Sequence, residues 1–507
     1  MLLDPPGGHD PTAVLALADD LSGAAETAVA LLLPGRIVLG PGDAAPPPAG
    51  EALVLDLDTR QLPGDEAARV VRTALRDVPA GTVLIKKTDS LLRGNLAAEA
   101  LAYAEGAEGL VIAPALPAAG RTVRDGVVHL HGTPLHTTDA WRAEPRPAPR
   151  SVAEALGPLA TAPVPLAVVR GSGDDLTERL RRLLAAGTHP VCDAETDADL
   201  DAIAAAALRL GPGVRLLGTG GLAAALGRLV GRAEGRPDDV PGPRPDETSP
   251  YGADAASPDA GRTVSERVGT DRRRDAPDRP LLVVVGTAEP GAVAQIAQLT
   301  AAGARHTVLS PELLARPGET PPLATERAGV TVVSIDGAEG IRHGAARRTA
   351  AGLGRAVAAL AHPTDLVLTG GETARRVLDA LGIGELRPVG QIHHGAVHSR
   401  TPDGRSVVTR PGSYGDTWSL LRIARALRPG HGPLMASRAP ADPVAGTATA
   451  ERAATVTADP ATTTPAGPAA TPAADPAVSP AADPAGTTTN PAPAPFAPHP
   501  APQGEVL

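Results

Sequence analysis

The chain has 507 residues, a formal net charge of −10 at pH 7 and 42% apolar residues. This length predicts two or three folded domains, and the acidic balance argues against nucleic acid as a partner. No apolar run reaches the roughly 18–20 residues that span a membrane, and residues 1–12 lack the basic and apolar segments of a signal peptide. The single cysteine, Cys192, excludes an internal disulfide and is typical of a reducing compartment. We therefore expect a cytoplasmic protein without a membrane or nucleic-acid partner.

Short runs of Val, Leu and Ile alternate with Ala- and Leu-rich helical patterns between residues 10 and 232. The candidate strands are 14–18, 52–57, 82–85, 110–113, 166–169 and 214–217. Helical patterns cover 22–33, 65–76 and 200–209. This alternation predicts an α/β domain in which helices flank a mainly parallel sheet.

The regular pattern stops at residues 233–279, which are rich in Pro, Gly, Asp and Arg and predict a flexible linker. A second α/β pattern covers 280–428, with candidate strands at 281–285, 307–309, 330–335 and 366–369. Residues 429–507 form a Pro/Ala/Thr-rich segment, which predicts a disordered tail. The expected fold is therefore α/β and two-lobed, with a mainly parallel layered sheet in each lobe.

Charged and polar residues follow three predicted strands of the first lobe, which is where open α/β sheets bind ligands. Asp19 and Asp20 follow the first strand, and Arg60 follows the second. The third is followed by the most polar segment of the lobe, which contributes Lys87, Asp89, Ser90, Arg93 and Asn95. This clustering predicts a pocket for a small, hydroxyl-rich anion.

These residue types have more than one use. The guanidinium group of Arg60 or Arg93 can hold a substrate carboxylate through two parallel hydrogen bonds. The paired aspartates can cap the following helix, contact substrate hydroxyls or supply a general base. Lys87 can instead form a structural ion pair with Asp89. A further segment, residues 117–122, is expected to form a rigid loop over the same face.

Glycine-containing loops follow two predicted strands of the second lobe, at residues 286–290 and 370–373, and a third glycine-rich loop lies late in the lobe at residues 409–416. In the middle loop, Gly370, Gly371, Glu372 and Thr373 stand between a strand and a helix. Bare backbone N–H groups at such a helix start bind phosphate, and the alternative is an ordinary tight turn capped by Thr373. Three such loops in one lobe favour nucleotide binding.

Other sites receive less support from the sequence. Residues 218–223 imitate a Gly-x-Gly-x-x-Ala dinucleotide pattern, but the predicted linker follows so soon that we interpret them as a structural helix start. The common P-loop is absent. The two histidine groups, 129/131/136 and 393/394/398, lack the spacing of zinc ligands, so no metal site formed by the protein alone is predicted.

Taken together, these segments resemble the four-carbon acid sugar kinases, which include 3-oxo-tetronate, D-threonate and D-erythronate kinases. In the first lobe the resemblance lies in residues 18–23, 86–95, 114–122, 132–136, 193–200 and 221–223. In the second lobe it lies in residues 285–287, 369–373 and 411–415. The sequence departs from the family at Arg410-Pro411, where Lys-Ser is usual, at Thr287 and at Glu289.

The resemblance implies that residues 10–232 bind the sugar acid and that residues 280–428 bind ATP. It implies that the substrate faces Asp20, Arg60, Lys87, Asp89, Arg93 and Asn95, to which the polar cluster adds Asp19 and Ser90. Asp20 or Asp89 would act as the base. The nucleotide would be held by Thr287, Gly370, Gly371, Glu372, Thr373 and Gly412. The reaction would move the γ-phosphoryl group of ATP to the terminal hydroxyl of a four-carbon acid, with Mg²⁺ neutralising charge.

Two alternatives stand beside this hypothesis. An NAD-dependent hydroxyacid dehydrogenase would use the loop at 218–223, and a non-catalytic bilobal sensor would bind the sugar acid without using ATP. The sequence also leaves open the preferred acid and its stereochemistry, the assembly into a homo-oligomer and the role of the tail.

Overall fold

The computed structural model describes residues 12–232 and 279–429, apart from 43, 143, 317, 326–328, 338–345, 361 and 413. The predicted linker (233–279) and tail (429–507) lie almost entirely outside these described residues. Within the described ranges, no helix is long and apolar enough to cross a membrane.

The N-terminal lobe, residues 12–232, alternates strands and helices as the sequence pattern predicts. Its strands are β1 (Val14–Ala18), β2 (Gly35–Leu39), β3 (Ala52–Asp56), β4 (Val83–Lys87), β5 (Gly109–Ala113), β6 (Arg121–Arg124), β7 (Val127–Leu130), β8 (Thr133–Pro134), β9 (Thr161–Val164), β10 (His189–Cys192) and β11 (Val214–Gly218). Its helices are α1 (Leu21–Ala30), α2 (Gly64–Ala74), α3 (Leu96–Ala104), α4 (Val152–Leu156), α5 (Leu166–Val169), α6 (Gly173–Ala185), α7 (Asp197–Leu208) and α8 (Gly220–Arg232).

Parallel strands form the main sheet of this lobe in the order β2-β3-β1-β4-β11-β5-β10-β9. The central strands β1, β3 and β5 are buried along their whole length, which explains why they are continuous apolar runs rather than alternating ones. Strands β6, β7 and β8 form a separate small antiparallel sheet.

The prediction of a strand at residues 166–169 was wrong, because this run is the short helix α5. Pro165 stands at its N-cap, and the preceding residues Thr161–Val164 form the edge strand β9 instead. The sequence analysis also missed β2 and β10. Both are short, and β10 contains a proline, so neither carries the long run of β-branched residues that marks a strand.

The C-terminal lobe, residues 279–429, contains a second layered sheet. Its strands are β12 (Leu281–Val285), β13 (Arg305–Leu309), β14 (Val330–Ile335), β15 (Asp365–Thr369), β16 (Glu385–His393), β17 (Ala396–Arg400) and β18 (Ser406–Arg410). Its helices are α9 (Pro290–Ala301), α10 (Pro311–Ala315), α11 (Ala346–Ala358), α12 (Gly371–Ala380) and α13 (Ser419–Leu427). The order is β13-β14-β12-β15-β18-β17-β16, with β16 and β17 antiparallel to their neighbours.

One continuous sheet joins the two lobes, because β16 pairs in antiparallel fashion with β2 through Glu385–Val38 and Leu386–Ile37. Three successive antiparallel pairings reverse the strand direction between β15 and β1. A flat sheet would therefore place the carboxyl ends of the two lobes on opposite edges. Neighbouring strands in sheets are twisted by roughly 20–25° on average, and such a twist is the general reason that these ends can be turned back toward the same side. Helices α1 and α12 pack together across the junction.

Candidate functional site

The predicted nucleotide loop and the predicted substrate loop meet at the lobe junction. Gly371, at the start of α12, lies so close to Asp20 that a Cβ atom on it would be 2.5 Å from Asp20 Oδ2. The same atom would be 3.3 Å from Ser22 Oγ. Strand ends from both lobes therefore face one cleft, and a glycine at position 371 is needed for the close approach.

Arg60 is the central cation of the N-terminal half of this cleft. Its Nε donates to Asp19 Oδ2 at 2.8 Å, and its Nη1 donates to Asp20 Oδ2 at 2.9 Å. Its Nη2 lies 3.8 Å from Asp89 Oδ1. The structure thus brings together the ends of β1, β3 and β4, as the sequence predicts. The guanidinium group of Arg60, however, pairs with carboxylates of the chain itself and is not open to a substrate carboxylate.

The pKa values of the neighbouring aspartates Asp19 and Asp20 shift in opposite directions. Burial opposes ionisation of both, but the charges of Arg60 and Lys86 hold the pKa of Asp19 below its usual value. For Asp20, burial and the negative charge of Asp19 outweigh the attraction of Arg60, so its pKa is raised. A carboxylate with a raised pKa is the better proton acceptor near neutral pH, and this favours Asp20 as the base.

Asp20 also has a structural task as the N-cap of α1. Its Oδ1 accepts a hydrogen bond from the backbone N–H of Gly23 at 2.9 Å. One oxygen is thus fixed by the helix start, while the other faces Arg60 and Gly371. The cap explains why an aspartate at this position keeps one orientation.

Asp89 is held more tightly than a general base requires. Arg93 binds it with two hydrogen bonds, Nε to Oδ2 at 2.8 Å and Nη2 to Oδ1 at 2.9 Å. Burial opposes ionisation of Asp89, but the Arg93 hydrogen bonds and the charge of Arg60 hold its pKa well below the usual range. Asp89 Oδ2 also accepts from the backbone N–H of Leu91 at 3.0 Å, which supports the left-handed backbone of Leu92 at φ 60°.

Two further predicted substrate ligands serve the scaffold. Asn95 Nδ2 donates to the carbonyl oxygens of Thr59 and Leu62 at 2.8 and 2.7 Å, so both of its N–H groups fix the loop that carries Arg60. Lys87 pairs with Glu26 at 3.6 Å rather than with Asp89. Its Nζ still lies in the site, 3.0 Å from where a Cβ on Gly23 would be.

Arg121 is the arginine with an unused donor in the N-terminal half. It comes from the loop that the sequence predicts to close over this face, and its Nη1 donates to Ser90 Oγ. Its buried Nε has no acceptor within the described residues. Burial lowers its pKa, against the nearby charge of Asp89. The sequence analysis marked the loop but did not single out Arg121, because nothing in the local pattern distinguishes this arginine from its neighbours.

The C-terminal half of the cleft is made of backbone. At Gly286, a Cβ atom would collide with the side chain of Thr373. Gly370 has φ 87°, which favours glycine, and it faces the Cα of Gly412. Thr287 lies beside Gly412, with its Cγ2 3.7 Å from where a Cβ on that glycine would be. The three predicted loops therefore converge, and the α12 helix begins at the point where they meet.

Glu372 is the exception among the predicted nucleotide ligands, because its carboxylate turns to arginines. It accepts from Arg376 Nε at 3.0 Å and lies 3.8 Å from Arg347 Nε. Its side chain therefore does not point to the glycine loops as a free carboxylate. Its carboxylate is neutralised by these cations.

Ion pairs between the lobes were not foreseen from the sequence. Arg375 Nη1 donates to the buried Asp56 Oδ2 at 2.9 Å, and Arg376 pairs with Asp58. The charged strand end at residues 56–58, which precedes Arg60, is thus used largely to hold α12. Burial and the charge of Asp58 raise the pKa of Asp56 to about 7 despite Arg375.

Among the described residues, no group of three or more His, Cys, Asp or Glu side chains is placed to hold a metal ion. Mg²⁺ at phosphoryl-transfer sites commonly uses one or two carboxylates together with substrate phosphates. Asp19 Oδ1 fits that use, since it is buried and has no hydrogen-bond partner within the described part of the chain.

The loop at residues 218–223 has no room for a dinucleotide. A Cβ on Gly221 would be 2.8 Å from Leu200 Cδ1 and 2.9 Å from the carbonyl oxygen of Ala115. Thr219 Oγ1 donates to that carbonyl and accepts from Gly221 N at 3.2 Å. The contacts agree with the interpretation of this loop as a packed helix start.

Two family models match the chain in succession. The model described as a sugar-binding N-terminal domain matches residues 14–226, and the model described as a nucleotide-binding C-terminal domain matches residues 282–420. The charged half of the cleft lies in the first range, and the glycine loops lie in the second.

Curated proteins are similar in sequence to most of the chain, and a solved structure shares its fold. A D-threonate kinase from Cupriavidus necator is 31% identical over 439 residues, which cover 83% of this chain and 99% of that protein. A D-threonate kinase from Bordetella bronchiseptica is 31% identical over 440 residues, covering 81% and 96%. A crystal structure from Salmonella typhimurium LT2 has the same fold, with a TM-score of 0.61 at 19% identity over 82% of this chain and 99% of that one.

Proposed function

The chain belongs to the four-carbon acid sugar kinases, and we propose that it uses ATP to phosphorylate the terminal 4-hydroxyl of a four-carbon sugar acid. The observation that carries the proposal is the contact of Gly371 with Asp20. The contact supports the proposal because the start of α12, the proposed phosphate-binding helix, lies beside a half-buried carboxylate whose pKa is raised. A phosphoryl donor and an alcohol acceptor need this arrangement.

Asp20 is the proposed general base. The terminal hydroxyl oxygen attacks the γ-phosphorus, its proton passes to Asp20 Oδ2, and the bond from the γ-phosphorus to the bridging oxygen of ADP breaks. Arg60 keeps Asp20 in place through the 2.9 Å hydrogen bond. Asp89 is proposed to act through Arg60 and Arg93, by fixing their orientation, rather than as a second base.

Arg121 and Ser90 are the proposed carboxylate ligands. They are hydrogen-bonded to each other, and the Arg121 Nε is buried without an acceptor in the described residues. A substrate carboxylate would accept a hydrogen bond from that donor and so be bound by the guanidinium group of Arg121. The guanidinium groups of Arg60 and Arg93 already pair with aspartates of the protein. Lys87 is left for the hydroxyl groups. Domain boundaries at 10–232 and 280–428 belong to the same proposal.

The glycine loops are the proposed nucleotide site. Helix α12 begins at Gly371, so its first backbone N–H groups have no partner inside the helix. The N–H of Gly370 is not among them, because it donates to the carbonyl oxygen of Arg410 at 2.8 Å. Thr287, Thr373 and Gly412 lie around this helix start. Backbone amides at a helix N-terminus attract phosphate oxygens without needing a charged side chain. Mg²⁺, bound with the nucleotide, would neutralise charge on the phosphate oxygens, with Asp19 as its protein ligand.

D-threonate is the first substrate to test, because curated relatives that align along almost their whole length are D-threonate kinases. ADP release is measured with D-threonate, D-erythronate and 3-oxo-tetronate as acceptors, and the position of the phosphate is read by ³¹P–¹H NMR. We expect ADP release with at least one acid and a 4-phosphate product. ADP release with none of the three acids, or phosphate on another oxygen, would refute the proposal.

A further inference from the structure

Two buried side chains lie beneath the loop that follows β18, here called the β18 loop (residues 411–412 and 414–416). Arg410 and Gln295 are each only 1% exposed. Arg410 is the last residue of β18, and strand alternation places it on the same face as Val408, under α9 and α13. Its Nη1 donates to Gln295 Oε1 at 2.7 Å, so the two side chains form one unit.

This unit binds the β18 loop by its carbonyl groups. Arg410 donates to the carbonyl oxygens of residues 411 and 412 at 3.2 and 2.9 Å. Gln295 Nε2 donates to those of residues 414 and 415 at 3.3 and 3.2 Å. Four loop carbonyls therefore point toward the interior of the lobe.

The direction of the carbonyls determines the direction of the amides. In a planar trans peptide, each N–H points opposite to the carbonyl of the preceding residue. The N–H groups of Gly412, Gly415 and Asp416 consequently point away from Arg410 and Gln295. None of them has an acceptor within the described residues, and Gly415 has a φ of 93°, which favours glycine. Backbone N–H groups arranged in this way bind anions.

The unit is also positively charged without an acidic partner. No carboxylate of the described chain pairs with Arg410, whose other contacts are carbonyls and the hydroxyl of Ser419 at 2.8 Å. Burial lowers the pKa of Arg410 to about 10, so it is still protonated at neutral pH. A buried cation surrounded only by neutral groups is costly unless an anion compensates it.

We propose that Gln295 and Arg410 are a positioning pair that turns the amides of the β18 loop toward the nucleotide phosphates, with the Arg410 charge adding to the attraction. The inference rests on the proposed function for the identity of the anion. It assigns a role to Gln295, to which no sequence motif points. It also explains how arginine at position 410 is used, since its planar fork reaches Gln295, Ser419 and two carbonyls at once.

The test is Gln295→Glu in the full chain. The carboxylate still accepts from Arg410, so the fold is kept, but it cannot donate to the loop carbonyls, and it neutralises the buried charge. Titration calorimetry with ADP and Mg²⁺ should show at least about tenfold weaker binding, the ratio that one or two lost hydrogen bonds represent. The KM for ATP should rise, and the KM for the sugar acid should stay within about twofold of wild type.

Gln298→Glu is the matched control, because it adds the same charge to α9 at a side chain that no described contact links to the loop. It should bind ADP as wild type does. If Gln295→Glu fails to fold, Arg410→Met provides the same test, since methionine removes both the charge and the donors of the guanidinium group from the same buried position. Wild-type ADP affinity in a folded variant of Gln295 or Arg410 would overturn this inference and leave the proposed function intact. Absence of ADP binding in the wild-type chain would overturn the proposed function with it.

Discussion

The two lobes form their halves of the cleft from different chemical groups. In the N-terminal lobe, buried and half-buried carboxylates pair with half-buried guanidinium groups, and Arg60 is shared among three aspartates. In the C-terminal lobe, glycine loops expose backbone amides, and the buried Arg410 has no carboxylate partner in the described chain. In the proposed function, the first arrangement fixes the side chains that discriminate among hydroxyl groups and move a proton. The second leaves positive potential free for a polyanion.

If this contrast is right, the largest effect on turnover comes from one carboxylate of the N-terminal lobe. Asp20→Asn should lower kcat by about 10²–10⁴-fold, the usual contribution of a general base. Asparagine caps helices as well as aspartate, so the thermal midpoint should change little. Steady-state kinetics and thermal unfolding check both parts. A kcat within a few-fold of wild type would exclude Asp20 as the base.

Asp89→Asn is the contrasting variant, because Asp89 is already committed to Arg93 and Arg60. We expect a loss of stability of about 2–3 kcal/mol, the scale of hydrogen bonds to charged groups, seen as a lower urea midpoint. The kcat should fall less than in Asp20→Asn. A lower kcat in Asp89→Asn than in Asp20→Asn would instead make Asp89 the base and Asp20 the orienting residue.

The contact between the lobes is tested by adding one methyl group. In Gly371→Ala, the Cβ would lie 2.5 Å from Asp20 Oδ2, so α12 must move away from the base. A displacement of about 1 Å costs up to about 10² in rate, and we expect kcat to fall on that scale. Gly384→Ala is the control, because no atom lies within 4 Å of its added Cβ. Equal rates for the two variants would show that the lobes are not in contact during catalysis.

A smaller effect, confined to one substrate, is expected at the carboxylate site. Arg121→Met removes the unpaired donor and keeps much of the length of the side chain. The KM for the sugar acid should rise about 10–100-fold, as expected when one charge-assisted pair is lost, with the KM for ATP unchanged. Arg124→Met, an exposed position on the same strand, should behave as wild type. A rise in the KM for ATP instead would show that Arg121 contributes to nucleotide binding rather than to binding of the sugar acid.

The smallest effect concerns the ion pair between the lobes and pH. Because the pKa of Asp56 is raised to about 7, the folded state binds its proton more tightly than the unfolded state. Its contribution to stability is therefore greatest below about pH 4 and is lost as pH rises toward 7, by at most about 1.4 kcal/mol per pH unit. The thermal midpoint of wild type minus that of Asp56→Asn should fall between pH 5 and 7 and then level off. A difference that rises over this range would reverse the assignment.

The sequence by itself determined much of the architecture. The βα alternation predicts both layered sheets, since apolar runs of 4–6 residues between amphipathic helices have few other ways to bury their surface. Strands β1, β12 and β14 have the predicted bounds, and the glycine loops at 286–287, 370–373 and 412 converge as expected. Strands and glycine loops are encoded by neighbouring residues, so they can be predicted without knowledge of the tertiary contacts.

Only the tertiary structure decided how the charged residues are used. Arg60, Arg93 and Asn95 have the composition of substrate ligands, but their donors are engaged by Asp19, Asp89 and backbone carbonyls. Arg121 and Gln295 acquire their roles from partners 31 and 115–120 residues away in sequence. The use of a polar side chain depends on which groups the fold brings within hydrogen-bond distance, about 3 Å. Pairings between residues so far apart in sequence leave no periodic pattern from which they could be predicted.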